Sequence, residues 1–161
     1  MVTSDRIAVM DGGEIIQVGT PPEIFDRPKT RFVAEFIGKT NILKGQLEDS
    51  KRVFVGDGLL VHVAAEESRK RGAEVFVCLR PHNISLVGSA SEAQEWNKKG
   101  YNVFSGIIQR RIYFGDAIDY VVELPNQLTL RVVAPPSQRY DLGQTVFALA
   151  HPSHCVIVGE G

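Results

Sequence analysis

The sequence predicts a mainly β fold, in which two small five-stranded barrels follow a short β-hairpin and two short helices. Two observations carry this prediction. Apolar segments of strand length recur about every 8–12 residues with turn residues between them, a spacing typical of barrels and sandwiches. The two strand-rich halves, about residues 41–87 and 103–158, are similar in size and rhythm, and each is small for an independent core. We therefore expect the halves to share one core.

A β-hairpin is the first predicted element. Residues 7–10 and 14–18 are apolar, and Gly12 and Gly13 between them suit the positive φ angles of a narrow turn. An isolated hairpin is only marginally stable in water. We therefore expect this one to pack on a preceding segment of a longer protein, of which this chain would be one piece.

Two short helices are predicted next. Thr20 and Glu23 have the spacing of a capping box, and Pro28 ends the helix that they begin. A second helix is expected over residues 30–37, with one apolar stripe. Gly38 is expected to close it in the left-handed conformation.

The strands of the barrels are predicted from apolar runs bounded by turn residues. In the first half they are residues 42–47, 52–55, 59–63, 74–80 and 84–87. In the second half they are residues 103–113, 117–124, 127–134, 145–150 and 155–158. Between the halves, residues 88–100 are polar and are expected to be a connector with one helical turn over residues 91–96.

The composition disfavours several classes of protein. Hydrophobic residues are 43% and charged residues 23% of the chain, as in soluble globular proteins. A net charge of −1 provides no field that favours nucleic acid or acidic lipid. No apolar run approaches the roughly 20 residues that span a bilayer, and the first residues do not have the pattern of a signal peptide. We expect an intracellular chain.

The two cysteines, Cys78 and Cys155, both lie in apolar runs. One interpretation is a pair of buried, reduced thiols. The other is a disulfide or a reactive thiol, for which only Arg80 and His154 supply nearby positive charge.

Gly38-Lys39-Thr40 mimics the end of a phosphate-binding loop. The complete pattern needs a glycine where this chain has Val33. The tripeptide also follows a predicted helix and precedes a strand, so that carbonyl groups rather than N–H groups face outward. We expect no nucleotide site there.

Other groups of side chains have both a structural and a functional interpretation. His151, His154 and Cys155 suggest zinc, but neighbouring or three-apart residues on an extended chain point to opposite faces, so a turn between strands is the alternative. Two groups of basic residues are solvated charges on the surface in one interpretation, and contact an anionic ligand or a regulator in the other: Arg69-Lys70-Arg71 and Arg110-Arg111. Tyr113 and Phe114 follow Arg110-Arg111, an arrangement that nucleic-acid-binding barrels also use, but the net charge disfavours that function.

Asp5 and Arg6 could in principle form a catalytic pair, and a local ion pair or packing contact is the alternative. No nucleophile with a base, and no pair of carboxylates, stands out at a useful spacing. We therefore predict no catalytic, cofactor-binding or metal-binding residue in this chain.

Five sequence segments, called phrases below, occur in a fixed order along the chain: residues 4–10, residues 13–25, residues 28–41, Leu79-Arg80-Pro81-His82, and residues 106–155. Together they resemble the ATP-binding subunits of ABC importers of the polyamine, ferric-iron, sulfate and maltose group. The first three resemble the end of the nucleotide-binding domain and its linking helix. The fourth resembles the Leu-Arg-Pro-Glu signature of the transport-associated OB domain, abbreviated TOBE, and the fifth resembles the second part of that domain.

The resemblance implies an organisation and a role. Residues 1–38 would be the end of the ATPase domain, and residues 39–161 a regulatory domain of TOBE type with two OB-fold barrels. ATP and magnesium would belong to a missing N-terminal domain. The chain would form a homodimer through its regulatory domain, serve membrane permease subunits, and lie in the cytoplasm on the inner face of the membrane. His82 departs from the usual glutamate, which puts any role of a carboxylate there in doubt.

Three functions follow as hypotheses. The first is the regulatory and dimerisation domain just described, and the phrases at residues 113–116 and 151–155 favour the polyamine and iron branch. The second is a sensor of a small ligand or oxyanion, because relatives of this domain bind oxyanions between such barrels. The third, an autonomous enzyme, has the weakest support.

Overall fold

The computed structural model describes residues 5–56 and 58–160; Ser4, which begins the first of the phrases, lies outside them. The strands are β1 (Ile7–Asp11), β2 (Glu14–Gly19), β3 (Asn41–Asp49), β4 (Arg52–Val55), β5 (Leu59–His62), β6 (Glu74–Leu79), β7 (Ile84–Val87), β8 (Asn102–Tyr113), β9 (Ile118–Glu123), β10 (Thr129–Ala134), β11 (Thr145–Ala150) and β12 (Val156–Val158). The α-helices are α1 (Pro21–Asp26), α2 (Arg31–Ile37) and α3 (Ala90–Lys98). Three 3₁₀ turns are Pro81–Asn83, Pro125–Gln127 and Pro152–His154. Within the described residues, no helix has both the length and the apolar character needed to cross a membrane.

The predicted hairpin and capping box are both present. β1 and β2 pair antiparallel, and Gly12 and Gly13 between them adopt positive φ. The Thr20 hydroxyl oxygen accepts from the backbone N–H of Glu23 at 3.4 Å, and the Glu23 carboxylate accepts from the Thr20 N–H at 2.8 Å. The bond from the Thr20 N–H is the main cause that lowers the pKa of Glu23. The capping box therefore starts α1 as predicted.

The helix α2 begins as predicted but ends differently. Its N-cap is Thr30, whose hydroxyl oxygen accepts from the N–H of Val33 at 3.2 Å. The expectation of a left-handed Gly38 is wrong, because its φ of 178° and ψ of 175° are extended. The guanidinium of Arg80 donates to the carbonyl oxygens of Ala34 and Gly38. These carbonyls therefore need no left-handed turn to find a donor.

Ten strands form two five-stranded antiparallel sheets. Their orders are β5-β4-β3-β6-β12 in the first sheet and β10-β9-β8-β11-β7 in the second. One buried apolar cluster joins the two, with Leu43 and Val77 from the first sheet and Phe104 and Val146 from the second among its members. The mainly β fold, the two five-stranded units and the shared core are confirmed.

The last strand of each half belongs to the sheet of the other half. β7 follows β6 in sequence but pairs with β11, and β12 follows β11 but pairs with β6. The two sheets therefore do not coincide with the two strand-rich halves of the sequence. The 3₁₀ turns that precede β7 and β12 redirect the chain from one sheet to the other. This exchange ties the halves together, because neither sheet is complete without a strand from the other half.

Two asparagines at equivalent positions also connect the sheets. Asn41 begins β3, and its side-chain amide bonds both the N–H and the carbonyl of Arg131 in β10, at 2.8 and 2.9 Å. Asn102 begins β8, and its amide bonds both backbone groups of His62 in β5, at 2.8 and 2.8 Å. Both asparagines are buried. Each side-chain amide bonds a strand of the other sheet in the way that the backbone of a neighbouring strand would. The two halves are therefore related by an internal repeat.

A glycine follows each of these asparagines at the same distance. A Cβ atom on Gly45 in β3 would lie 2.4 Å from the Phe54 carbonyl oxygen. One on Gly106 in β8 would lie 2.6 Å from a Val122 methyl carbon and 2.7 Å from the Glu123 carbonyl oxygen. Both glycines are therefore needed where β3 and β8 bend close to a neighbouring strand.

The connector between the halves holds a longer helix than the predicted turn over residues 91–96. α3 is capped by Ser89, whose hydroxyl oxygen accepts from the N–H of Glu92. Ala93 is buried in a small cluster against which Trp96 and Tyr101 pack. The apolar contacts of these side chains with the second sheet stabilise a full helix in a segment whose composition indicates a loop.

Candidate functional site at the Arg80 junction

Arg80 joins the helical segment to the first sheet. It follows β6 directly, and only 3% of its surface is exposed. Its Nη1 donates to the carbonyl oxygens of Ala34, Gly38 and Lys39, at 2.9, 3.0 and 3.2 Å. Its Nη2 donates to the carbonyl oxygen of Phe25 at 3.1 Å. One guanidinium therefore binds the C-terminal ends of both α1 and α2.

The chemistry of Arg80 suits this position. The C-terminal carbonyls of helices carry partial negative charge, and a guanidinium offers several N–H donors in a fixed plane. Arg80 forms no salt bridge with any carboxylate in the described ranges. Burial lowers the pKa of Arg80, against the opposing effects of Cys78 and Asp26. The partial negative charges of the carbonyl oxygens therefore offset the cost of burying the Arg80 guanidinium, as a carboxylate would do in a salt bridge.

The aromatic ring of Phe25 completes the contact. The Arg80 guanidinium carbon lies 4.4 Å from the centroid of this ring, in cation–π geometry. The ring of His82 stacks on the same phenylalanine, with centroids 5.6 Å apart and planes at 23°. Where the resemblance predicts a glutamate, this chain therefore places a flat ring that packs on α1.

The connector between α1 and α2 is held on two further sides. The side-chain amide of Gln17 in β2 donates to the Arg27 carbonyl at 3.1 Å and accepts from the Lys29 N–H at 2.9 Å. After β12, the Gly159 carbonyl accepts from the Arg31 N–H at 2.7 Å, and the Gly159 N–H donates to the Lys29 carbonyl at 3.1 Å. The connector is therefore hydrogen-bonded to the hairpin on one side and to the segment after β12 on the other.

Apolar packing and a cleft complete the junction. Ala34 of α2 is buried in a cluster with Phe76, Cys78 and Val158 on the outer face of the first sheet. Beside it lies a cleft of about 410 Å³. Its lining includes Phe25, Asp26, Arg27, Cys78, Arg80, Asn83, Ser153, His154 and Val156. The cleft therefore presents charges of both signs.

Comparison with known proteins identifies the family. A family model described as TOBE domain matches residues 77–158. The chain belongs to the TOBE domain family. The junction around Arg80 therefore includes the start of the matched segment, with Cys78 and Arg80 at its beginning and Val158 at its end.

Curated relatives match a larger part of the chain. The spermidine/putrescine import ATP-binding protein PotA of Nostoc sp. is 38% identical over 98% of this chain and 42% of its own length. The protein of the same name from Thermotoga maritima is 35% identical over 80% of this chain and 35% of its own length. The chain thus spans about two-fifths of the length of the first of these relatives. The resemblance to importer ATP-binding subunits is confirmed.

A solved structure supports the fold. The cytoplasmic molybdate-binding protein ModG, with molybdate bound, aligns with a TM-score of 0.64 over 74% of this chain and 95% of its own. Its sequence identity is 14%, so the likeness concerns the fold alone. The predicted OB-fold architecture of the TOBE domain is confirmed.

The TOBE domain buries both thiols. Cys78 and Cys155 are free and buried, as the interpretation as reduced core thiols predicts. Burial raises the pKa of Cys155 to about 12. Burial also raises the pKa of Cys78, against the opposing effects of a hydrogen bond from Thr40 and the charge of Arg80. Neither thiol has the properties of a nucleophile.

The tripeptide Gly38-Lys39-Thr40 leads from α2 into β3. Gly38 and Lys39 direct their carbonyl oxygens to Arg80, and the Thr40 hydroxyl lies 2.9 Å from the sulfur of Cys78. The tripeptide therefore presents acceptors at the end of a helix, where a phosphate loop presents donors. The tripeptide is thus part of the contact between the helices and the first sheet.

The candidate zinc ligands adopt a compact turn. His151 caps the third 3₁₀ turn and His154 is its last residue, and their ring centroids lie 6.2 Å apart. Nδ1 of His151 bonds the hydroxyl and the N–H of Ser153, at 2.7 and 3.1 Å. Cys155 is buried in the core. In residues 5–56 and 58–160, no group of three His, Cys, Asp or Glu side chains could hold a metal ion.

The basic groups of the first half form local contacts. Arg71 pairs with Glu48 at 2.8 Å, and Arg69 lies 3.9 Å from the Glu66 carboxylate. These two arginines are therefore partly neutralised where they lie. Near the start of the described segment, Asp5 and Arg6 are exposed, and the charge of Arg6 contributes to the lowered pKa of Glu23.

The basic pair of the second half differs. Arg111 donates to the Tyr140 carbonyl oxygen at 2.8 Å and approaches the Asp141 carboxylate at 3.4 Å. Arg110, Tyr113 and Phe114 are exposed. The structure therefore does not bring the two basic groups into the Arg80 junction.

Proposed function

We propose that this chain is the C-terminal regulatory and dimerisation part of the ATP-binding subunit of an ABC importer. In this proposal residues 1–38 close the ATPase domain, and residues 39–161 are the regulatory domain. The observation that carries the proposal is the binding of Arg80 to carbonyls of both helices. Under this proposal, Arg80 would connect the end of the ATPase domain to the first sheet of the regulatory domain.

The junction suggests how the two parts move. Arg80, Gln17 and Gly159 hold α1, α2 and their connector from three directions. A displacement of these helices by the ATPase domain would therefore carry the first sheet with it as one body, since the bonds and the packing of Ala34 oppose separation. The regulatory domains would remain in contact while the ATPase domains open and close around nucleotide.

The proposal assigns ATP and magnesium to the rest of the subunit. Gly38 and Lys39, in the segment that mimics a phosphate loop, direct their carbonyl oxygens to Arg80, whereas a triphosphate requires N–H donors and cations. The chain alone would not hydrolyse ATP. The intact subunit would lie in the cytoplasm on the inner face of the membrane and bind permease subunits. A polyamine is the first cargo to test, because the relatives bear that name.

Two measurements on the purified chain test this function. Sedimentation at several concentrations is expected to show a homodimer or a monomer–dimer equilibrium, and a monomer at millimolar concentration would count against the dimer. Calorimetric titration with magnesium-ATP is expected to give no binding heat. Turnover of ATP by the chain alone would overturn the assignment of its chemistry.

A sensor of a small ligand or oxyanion is the second candidate. The solved structure with a similar fold holds molybdate, and the cleft at the junction includes Arg27 and Arg80. Asp26 in the same cleft opposes an anion there. Thermal unfolding in molybdate, sulfate, phosphate and polyamines distinguishes the candidates, and the sensor is rejected if none of them raises the melting temperature.

A further inference from the structure

The internal repeat includes a helix in each half. α2 precedes β3 as α3 precedes β8, and each helix is capped by a hydroxyl group, that of Thr30 or of Ser89. Four residues after each cap lies a buried alanine, Ala34 or Ala93. The two alanines belong to separate small clusters, one on each sheet. α2 and α3 are therefore equivalent elements of the repeat.

Arg80 and His151 are equivalent in the same way. Each is the residue before one of the 3₁₀ turns that lead into β7 and β12, and their backbone angles agree, at φ −71° and ψ 135° for Arg80 and φ −69° and ψ 137° for His151. The carbonyl oxygen of Arg80 accepts from the N–H of Asn83 at 3.0 Å, and that of His151 accepts from the N–H of His154 at 2.9 Å. His151 therefore lies in the second half where Arg80 lies in the first.

The first half has a helix at this position that the second half does not have. The last turn of α1 places the ring of Phe25 against Arg80 and His82, and a Cβ atom on Gly38 would lie 3.3 Å from the same ring. In the second half the chain runs from β7 directly into α3. Within residues 5–56 and 58–160, therefore, no helix precedes α3 as α1 precedes α2.

A row of aromatic rings lies at the equivalent position of the second half. The ring centroids of Trp96 and Tyr101 are 4.8 Å apart, those of Tyr101 and His151 are 5.0 Å apart, and those of His151 and His154 are 6.2 Å apart. Both histidines are exposed, and Trp96 and Tyr101 are half-buried. We call these four residues the ring strip. The successive contacts make the ring strip one continuous surface.

The ring strip offers a hydrogen-bond donor where Arg80 offers its guanidinium. Nδ1 of His151 accepts from the N–H of Ser153 at 3.1 Å, so a neutral imidazole ring carries its proton on Nε2. Among the described residues, this Nε2 has no hydrogen-bond partner. His151 can therefore donate to a carbonyl oxygen at the end of a helix, as Arg80 does in the first half.

The charges at the end of the ring strip are positive. Lys98 and Lys99 form the C-terminal end of α3, and Nζ of Lys99 lies 4.6 Å from the centroid of the Trp96 ring. Neither lysine forms a salt bridge in the part of the chain that the structure describes, with Glu95 of the same helix or with any other carboxylate. Both charges are therefore available to an acidic partner.

The geometry of the rings favours a protein partner over a nucleic acid. The planes of Trp96 and Tyr101 meet at 74°, and those of Tyr101 and His151 meet at 77°. Bases that stack in succession need ring faces that are open and nearly parallel. Here each ring packs edge-on against the next, and Lys99 covers one face of Trp96.

We infer that the ring strip binds a short acidic helix of another protein, with an aromatic residue in the last turn of that helix. The template is α1, which carries Phe25 in its last turn and the exposed carboxylates of Glu23 and Asp26. The aromatic residue of the partner would pack on the ring strip, and a C-terminal carbonyl oxygen would accept from Nε2 of His151. The carboxylates of the partner would face Lys98 and Lys99. The inference does not rest on the proposed dimer.

The experiment titrates the intact chain with a synthetic peptide that has the sequence of residues 20–27. The α1 of the chain already fills the site at Arg80, which leaves the ring strip as the free site. Trp96 is the only tryptophan and lies in the ring strip, so its fluorescence reports binding there. We expect a saturable change with a Kd of about 1 mM or lower. The same peptide with Phe25→Ser is expected to bind at least about tenfold more weakly.

A pair of matched variants of the chain locates the site. Lys99→Glu is expected to raise the Kd of the peptide at least about threefold, because it reverses a charge that faces the acidic helix. Lys70→Glu is the control, because Lys70 is also an exposed lysine but lies on the loop between β5 and β6. It is expected to leave the Kd within about twofold.

Three results would overturn the inference. The first is the lack of a saturable change up to about 5 mM peptide. The second is equal binding of the peptide with Phe25→Ser, or equal effects of the two lysine substitutions. The third is tighter binding of a single-stranded oligothymidine than of the peptide, because the ring strip would then serve a nucleic acid. None of these results alters the sedimentation of the chain, so a failure here is distinct from a failure of the proposed function.

Discussion

Replacing Arg80 by methionine should separate the helical segment from the first sheet. The change keeps an unbranched chain over the ring of Phe25 and removes every donor of the guanidinium. The carbonyl oxygens of Phe25, Ala34, Gly38 and Lys39 then lose a charged partner. Each such bond contributes roughly 1.5–3 kcal/mol, and the cost of burying a guanidinium offsets part of the sum. We expect the free energy of unfolding to fall by about 3 kcal/mol.

Urea denaturation measures this loss. Trp96 is the only tryptophan, and it packs on Tyr101 rather than at the junction, so its fluorescence follows the fold without direct disturbance. Arg110→Met is the matched control, because Arg110 is exposed on β8, and it is expected to change stability by less than about 0.5 kcal/mol. Limited proteolysis of Arg80→Met is expected to cut between α2 and β3 sooner than in the wild type. The reasoning is refuted if Arg80→Met unfolds within about 0.5 kcal/mol of the wild type.

Three further predictions concern residues in or beside the two five-stranded sheets. Gly106→Ala is expected to lower the free energy of unfolding by about 1–3 kcal/mol, because the added Cβ atom would lie 2.6 Å from a methyl carbon of Val122. Gly88→Ala is the control, and it should be nearly neutral in the same urea assay because the nearest atom to its Cβ would lie at 3.4 Å. Gln127→Gly is expected to add about 0.5–1 kcal/mol, because Gln127 has a φ of 64° that glycine adopts without strain, and an unchanged or lower melting temperature would contradict this. Burial raises the pKa of Cys155 from an ordinary 9.0 to about 12 in the folded chain. Between these pH values the unfolded chain loses the thiol proton and the folded chain keeps it, so the free energy of unfolding is expected to fall by about 1.4 kcal/mol per pH unit as pH rises from 9 toward 12. A Cys155→Ala variant should therefore show a shallower fall over that range, and equal slopes would exclude the thiol as the cause.

The local elements could be predicted because the residues that cause them are neighbours in sequence. Thr20 and Glu23 form a complete capping box within one helical turn. The glycines of the first hairpin likewise fix its turn without help from elsewhere. Signals of this kind depend on short spacings, which a single sequence displays directly.

The long-range features could not be predicted in the same way. Gly38 has the residue type of a left-handed cap, but a donor 42 positions later in sequence removes the need for one. β7 and β12 exchange sheets because they pair with β11 and β6, which lie far from them in sequence. The buried amides of Asn41 and Asn102 bond backbone groups 90 and 40 positions away.

One signal of the repeat is visible in the sequence itself. Asn41 with Gly45, and Asn102 with Gly106, repeat the same spacing at the start of β3 and β8. An alignment of the two halves on these residues would have indicated the equivalence of the barrels. It would also have shown that β8, which ends at Tyr113, is longer than β3.

We propose that this chain forms dimers as the C-terminal part of a transport ATPase subunit and holds no nucleotide site of its own. Sedimentation equilibrium of the wild-type chain from micromolar to millimolar concentration, with and without magnesium-ATP, tests it most directly. The account predicts a mass that rises from 17.8 kDa toward twice that value and does not respond to nucleotide. A mass that stays at 17.8 kDa throughout, or a dimer that forms only with ATP, would contradict it.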